Sequence, residues 1–419
     1  MPGEGEMMRP WSGSASLSGR AGVLGLLPSA GGGLASLESA GQTTRLLDYY
    51  LPAYLGTFEH LVYFSYHEEL LADYTDDPAI LKGVSLIPRL KSTPYRIYAC
   101  QLPLVARAQF QACSVLRVFQ ATGAVPAMMA RLLYGIPYVT TYGYRYHAVA
   151  QVEGRRLSSA YLRALEQAAL RMAEGVIVTT RELADYVGRF VPRGRIHLIP
   201  NGVDTRLFAP RGAKPTAAQR HAAQEAAARA SSGRPTTLLF VGRLVRQKNL
   251  FRLLEAASVL ARRHALRVQI IGDGPLRREL AAMATQQGLD CTFEGTVPHR
   301  RLPDYMNQAD LFVLPSLVEG HPKALIEAMS CGLPCVVSAC EGNREMVEDG
   351  LTGLLFEATD TGQMVSQLER AIQNRAFARE LGRAAREQVL RSYDLERLLR
   401  MELDVLLLAV RKRRRRSRR

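Results

Sequence analysis

Short apolar, β-rich runs alternate with amphipathic stretches along nearly the whole chain, and this alternation limits the fold more than any other feature. It is the pattern of parallel sheets covered by helices. In the first half the runs fall at 23–27, 60–65, 84–88, 116–120, 138–141, 176–179 and 196–199. In the second half they fall at 237–241, 267–271, 292–294, 311–314, 335–338 and 353–356. The stretch 157–173 is typical of the helical intervals between them. A chain of 419 residues suits two such domains of roughly 200 residues each.

Residues 210–235 are rich in Ala, Gln and Arg, lack an apolar stripe, and read as an exposed connection. The expected organisation is a parallel-sheet domain at 1–205, a linker at 206–235, a second parallel-sheet domain at 236–392, a leucine-rich helix at 393–410 and a basic, disordered tail at 411–419.

Apolar residues make up 47% and charged residues 22%, as in an ordinary globular protein. No stretch approaches the ~18–20 apolar residues of a spanning helix. Arg20 precedes an apolar run at 21–27, but Glu4 and Glu6 spoil a basic leader, so the run reads as a first strand and the protein as cytoplasmic. The six cysteines form no C-x-x-C pair and share no zinc-ligand spacing with histidine, so no metal site is expected. Cys331, Cys335 and Cys340 flank an apolar strand and read as small core residues of a reducing compartment.

The net charge is +15, and the last nine residues hold eight basic side chains. A run of this kind attracts polyanions, anionic lipid at the inner face of a membrane among them. No interleaving of basic and aromatic residues points to a specific nucleic acid.

The chemistry concentrates in the second half. The strand ending at Val241 runs into Gly242-Arg243-Leu244-Val245-Arg246-Gln247-Lys248-Asn249. Strand ends are where open α/β sheets bind ligands. Gly242 admits a close backbone, Arg243 offers a planar fork to phosphate oxygens, and Lys248 a compact cation. Lysine is scarce here, six against 48 arginines, so Lys248 asks for a specific reason. Asn249 reads as the cap of the following helix. After the strand 311–314 comes Ser316-Leu317-Val318-Glu319-Gly320-His321-Pro322-Lys323-Ala324-Leu325-Ile326-Glu327. Pro322 reads as the first helical residue, and amides around it make an anion site. Glu327 then falls in an apolar stretch, where a carboxylate needs a partner: a diol such as a ribose, or a buried ion pair.

These two segments resemble the retaining glycosyltransferases of family 4, which have the GT-B fold. Ile271-Gly272-Asp273-Gly274-Pro275 and Ile199-Pro200-Asn201-Gly202-Val203-Asp204 are also similar to that family, and the four motifs fall in the family's order over about 200 residues. The resemblance implies an α/β architecture of two Rossmann-like domains facing across a cleft, the first binding the acceptor, with the C-terminal helix crossing back to it. It implies a hexosyltransferase that moves a sugar from a UDP- or GDP-linked donor to a glycan, lipid-linked or small-molecule acceptor. Retention of configuration, no metal, no separate cofactor and a role in cell-envelope synthesis are implied with it.

By the same resemblance Arg243 and Lys248 hold the diphosphate, Glu327 the ribose, and Glu319 faces the donor sugar. Arg243, Lys248 and Glu319 are the catalytic candidates. Gly242, Gly272, Gly320, His321, Pro322, Lys323, Ala324 and Leu325 line the donor pocket, and Val297 belongs to a loop that contacts the base. In the first domain the glycines 31–33, Gly32 foremost, supply amides to the diphosphate. The chain departs from the family after the strand 138–141, where Tyr142 stands in place of a histidine and His147 follows five residues on. Tyr142, Tyr144 and His147 are candidates for contact with the sugar or acceptor. An epimerase or a non-catalytic nucleotide-sugar-binding protein of the same fold would share many of these residues.

Overall fold

The computed structural model describes residues 20–89, 93–148, 156–211 and 234–417. Each apolar run forms a strand. In the first half these are β1 (Val23–Leu27), β2 (His60–Phe64), β3 (Val84–Ile87), β4 (Cys113–Val118), β5 (Tyr138–Tyr142), β6 (Gly175–Val178) and β7 (Ile196–Leu198). They form one sheet in the order β3-β2-β1-β4-β5-β6-β7. β1 pairs in parallel with β2 on one side and β4 on the other, and Leu24, Leu26 and Leu27 are wholly buried. β4 begins earlier than its apolar run implies, because Ser114 interrupts the hydrophobic pattern.

The second half forms β8 (Thr236–Val241), β9 (Leu266–Ile271), β10 (Cys291–Gly295), β11 (Leu311–Leu314), β12 (Cys335–Ser338) and β13 (Leu354–Phe356). Their order is β10-β9-β8-β11-β12-β13, with parallel pairing throughout. Cys331 and Cys335 are buried in its core, as small apolar residues. The two sheets are those of the GT-B architecture.

By packing, the chain divides into Met1–Thr141, Ala169–Val176 and Met401–Arg419 on the one hand, and Tyr142–Ala168 and Ile177–Arg400 on the other. Gly143 lies against Gly320, and Asn201 donates to the His321 carbonyl at 2.6 Å, which ties these segments to the second unit. Residues 212–233 of the expected linker lie outside the described residues.

The last helix, Leu395–Ser417, starts in the second unit and passes into the first at Met401. Leu403, Leu406 and Val410 form its buried stripe. Glu402 is clamped bidentately by Arg117 of β4, at 2.7 and 2.9 Å, and accepts from the Tyr54 hydroxyl. All three are buried, so removing one partner would strand an ion in the core. Residues 411–417 are not a disordered tail: they continue this helix. Lys412 pairs with Glu174 at 3.5 Å, and Arg413 donates to the Cys113 carbonyl at 2.6 Å. No described helix is long and apolar enough to cross a membrane.

Candidate active site

β9, β8, β11 and β12 are neighbours, and the loops at their ends are laced together. Gly242 donates to Ile271 at 2.9 Å, and Gly272 has φ 126°. A Cβ on Gly272 would lie 2.0 Å from the Gly242 carbonyl oxygen, so only glycine fits. Leu317 donates its amide to Gln247 at 2.8 Å, and the Gln247 side chain donates back to Val318 at 2.7 Å. A Cβ on Gly320 would lie 1.8 Å from the Gly143 oxygen, and one on Gly342 1.9 Å from the Gly320 oxygen. Three stretches of backbone therefore cross at Gly320.

Asn249 does not cap the helix Leu250–Ala261 with its side chain. It takes a left-handed φ of 57° and donates to the carbonyls of Pro315 (3.1 Å) and Ala358 (2.9 Å), satisfying acceptors left over at strand ends. This bend fixes Lys248 just before the helix.

The Lys248 ammonium reaches Glu319 Oε1, which also accepts from the Ser316 hydroxyl at 2.6 Å. Glu319 is buried and Lys248 mostly so. A buried carboxylate costs several kcal/mol unless it is paired. Two candidates placed 71 residues apart in the sequence thus meet at one point. Arg243, on the same loop, is exposed, and among the described residues no hydrogen bond or ion pair holds its guanidinium. Ser316 and Gln247 organise this loop pair, and no sequence signal marks them apart from ordinary polar residues.

Pro322 sits at the cap position, with the helix running Lys323–Ser330, one residue later than the sequence indicates. Ile326 makes the first helical bond, to Pro322, so the amides of Lys323, Ala324 and Leu325 precede the ladder. The helix dipole favours an anion there.

Glu327 is buried, and its Oε1 lies 2.9 Å from His299 Nε2. The carboxylate holds an imidazole here. His299 is itself buried, with its ring 5.0 Å from that of Phe208. Its only sequence signal is its place two residues after Val297, which packs half-buried against the core. His321 is buried with its ring edge-on to Tyr393 at 5.1 Å, and burial pushes its pKa down to about 3. It is a neutral imidazole near neutrality.

Comparison with known proteins decides among the readings such a site allows. Residues 223–388 match the family model "Glycosyl transferases group 1", and residues 53–207 match "Glycosyltransferase Family 4". Together these cover about three quarters of the chain. The chain belongs to glycosyltransferase family 4.

Alpha-maltose-1-phosphate synthase of Mycolicibacterium smegmatis is 29% identical over 66% of this glycosyltransferase and 74% of its own length. The UDP-Gal:alpha-D-GlcNAc-diphosphoundecaprenol alpha-1,3-galactosyltransferase of Escherichia coli is 26% identical over 73% and 78%. EpsF of Bacillus subtilis is 40% identical, but the match spans only 38% of this chain and 39% of EpsF. Among solved structures, sucrose-phosphate synthase of Thermosynechococcus elongatus superposes with a TM-score of 0.71 at 21% identity, covering 92% of this chain and 98% of that one. HepE of Anabaena, in complex with UDP-glucose, gives 0.68 at 19% identity, covering 92% and 98%.

Not every expected site residue of the glycosyltransferase is placed to meet a ligand. Tyr142 is fully buried, and its hydroxyl donates to Glu166 at 3.0 Å. It cannot stack on an acceptor. His147 Nδ1 lies 2.9 Å from the same carboxylate, whose pKa burial raises. Tyr144 packs its ring 4.2 Å from Tyr146 within this aromatic group. Gly32 closes a turn instead of offering its amide: it donates to Ser29 at 2.8 Å and accepts from Tyr66 at 3.1 Å. The next helical amides, of Leu34 and Ala35, both donate to Glu69 at 2.8 Å.

Proposed function

We propose that this glycosyltransferase transfers a hexose from a UDP- or GDP-sugar, with retention of configuration and without a metal, to a glycan, lipid-linked or small-molecule acceptor. We place it in the cytoplasm, in cell-envelope polysaccharide or glycolipid synthesis, with its basic end at the inner face of the membrane.

The observation that carries this reading is the meeting of Lys248 with Glu319 on loops shared with the exposed Arg243. As the bond between sugar and diphosphate breaks, negative charge grows on the leaving group. Fixed cations and helix-start amides stabilise that charge without reorganising. Arg243 grips oxygens with two donors, Lys248 adds a point charge, and the helix start after Pro322 adds its dipole. Glu319 holds the ammonium in place and puts a negative charge where the sugar gains positive character. Glu327 and His299 share a buried pair that a ribose diol joins as donor.

The UDP-glucose bound in HepE and the UDP-Gal in the name of the E. coli galactosyltransferase support a UDP-sugar, and the latter's diphosphoundecaprenol acceptor supports a lipid-linked one. Thermal-shift screening against UDP- and GDP-sugars tests the reading. One nucleotide series raises the melting temperature of the wild type and fails to do so for Lys248→Ala. A panel without any shift refutes it.

A further inference from the structure

The edge of the first sheet where β4, β5 and β6 begin carries an exposed apolar surface. The helices Tyr95–Val105 and Val125–Tyr134 pack on each other there. The Tyr134 hydroxyl donates to the Pro103 carbonyl at 2.9 Å, and the Arg107 guanidinium lies 6.0 Å from the Tyr134 ring centre. This joins the C-terminal ends of the two helices. Four large aliphatic side chains stand out at that junction: Leu104 (57% exposed), Val105 (66%), Leu132 (75%) and Leu133 (50%). Exposed apolar groups gathered in this way mark an interaction surface.

The exposed charge beside them is basic, and the carboxylate at this edge, Glu174, is buried. Residues 78–152 contain eight Lys or Arg and no Asp or Glu. The basic end of the last helix reaches the same edge. Arg131, next to Leu132, lies 3.4 Å from Glu174, and Lys412 lies 3.5 Å from the other oxygen of that carboxylate. Arg413 donates to the carbonyls of Cys113 and Ser114 at the start of β4. Arg411, Arg414 and Arg415 are exposed beside them.

We propose that this face docks on an anionic lipid bilayer, with Leu104, Val105, Leu132 and Leu133 entering the interface and the arginines of the last helix meeting headgroup phosphates. Aliphatic groups ringed by cations are the pattern of interfacial binding, where apolar burial and attraction to anionic lipid add. A second copy is the poorer occupant. It would bring two surfaces of the same charge together, whereas the bilayer supplies the opposite one. This takes the proposed contact of the basic end with a membrane to a defined surface, and it stands without the donor reading because no sugar enters its test.

The test is co-sedimentation of the full chain with vesicles of phosphatidylglycerol and phosphatidylethanolamine, against vesicles of phosphatidylcholine alone. The wild type binds the anionic vesicles, and added salt weakens binding. Leu132→Ser with Leu133→Ser lowers the apparent affinity about tenfold or more. Arg411→Gln with Arg415→Gln lowers it less and flattens the salt dependence. Both variants melt with the wild type, because the altered side chains are exposed. Failure of the wild type to bind, or full binding by the leucine variant, overturns the proposal. So does a wild-type dimer in sedimentation velocity that the leucine variant turns into a monomer, since the face then belongs to a second copy.

Discussion

Glu69 in the first unit and Glu319 in the second are both buried carboxylates beside a glycine loop, and they differ in what satisfies them. Glu69 accepts from two backbone amides, the Ser65 hydroxyl and, at 3.3 Å, the Tyr74 hydroxyl. Those donors are fixed by the fold, so Glu69 acts as a built-in anion at a helix start. Glu319 has one hydroxyl and the ammonium of Lys248, which sits on a flexible stem and has three donors to share. A carboxylate held by backbone is scaffold. One held by an ammonium with donors to spare keeps that cation in place for an arriving anion.

The largest effect that sharpens this contrast is expected from Lys248→Ala. It removes leaving-group stabilisation and should cut turnover on the order of 10²-fold or more in a steady-state transfer assay. Near-normal turnover would break the contrast at once. Glu69→Ala leaves two amides and two hydroxyls without their acceptor, and should cost about 2–3 kcal/mol in denaturant unfolding. Donor KM should stay unchanged in that variant, and a large rise in KM would make Glu69 part of the site.

His321 gives a pH test. Its folded pKa of about 3 lies below the unfolded value of about 6.5, so the unfolded chain binds the extra proton. Its contribution is intact above pH ~6.5 and is lost as pH falls toward ~3, by about 2–3 kcal/mol at pH ~4.5. His321→Phe should flatten the acid limb of melting temperature against pH, and an unaltered limb would remove the assignment. The smallest effect is expected for Glu327→Gln, which keeps a hydrogen bond to His299 but loses charge. It should weaken donor binding several-fold, by about 1 kcal/mol, in calorimetric titration. Unchanged affinity would count against a ribose role.

Much of this was legible before any coordinates. Every strand was readable because parallel sheets buried on both faces leave continuous apolar runs. The pairing of Lys248 with Glu319 was not, since neither residue type marks its partner across 71 positions. Gly32 misled for the same reason. A glycine loop before a helix reads as an anion site, and nothing nearby shows that Glu69, 35 residues beyond Leu34, already fills it. The tail misled because its charge outweighs its helix propensity in sequence, while Glu174 and the β4 carbonyls that hold it lie far off along the chain. Tyr142 could not be told from a surface aromatic until Glu166 appeared as its partner.

The most direct measurement is a crystal structure with a nucleotide sugar bound. The account predicts the diphosphate between the Arg243 guanidinium and the Lys248 ammonium, with oxygens at about 2.7–3.2 Å from both. A diphosphate seated away from these two side chains would contradict it.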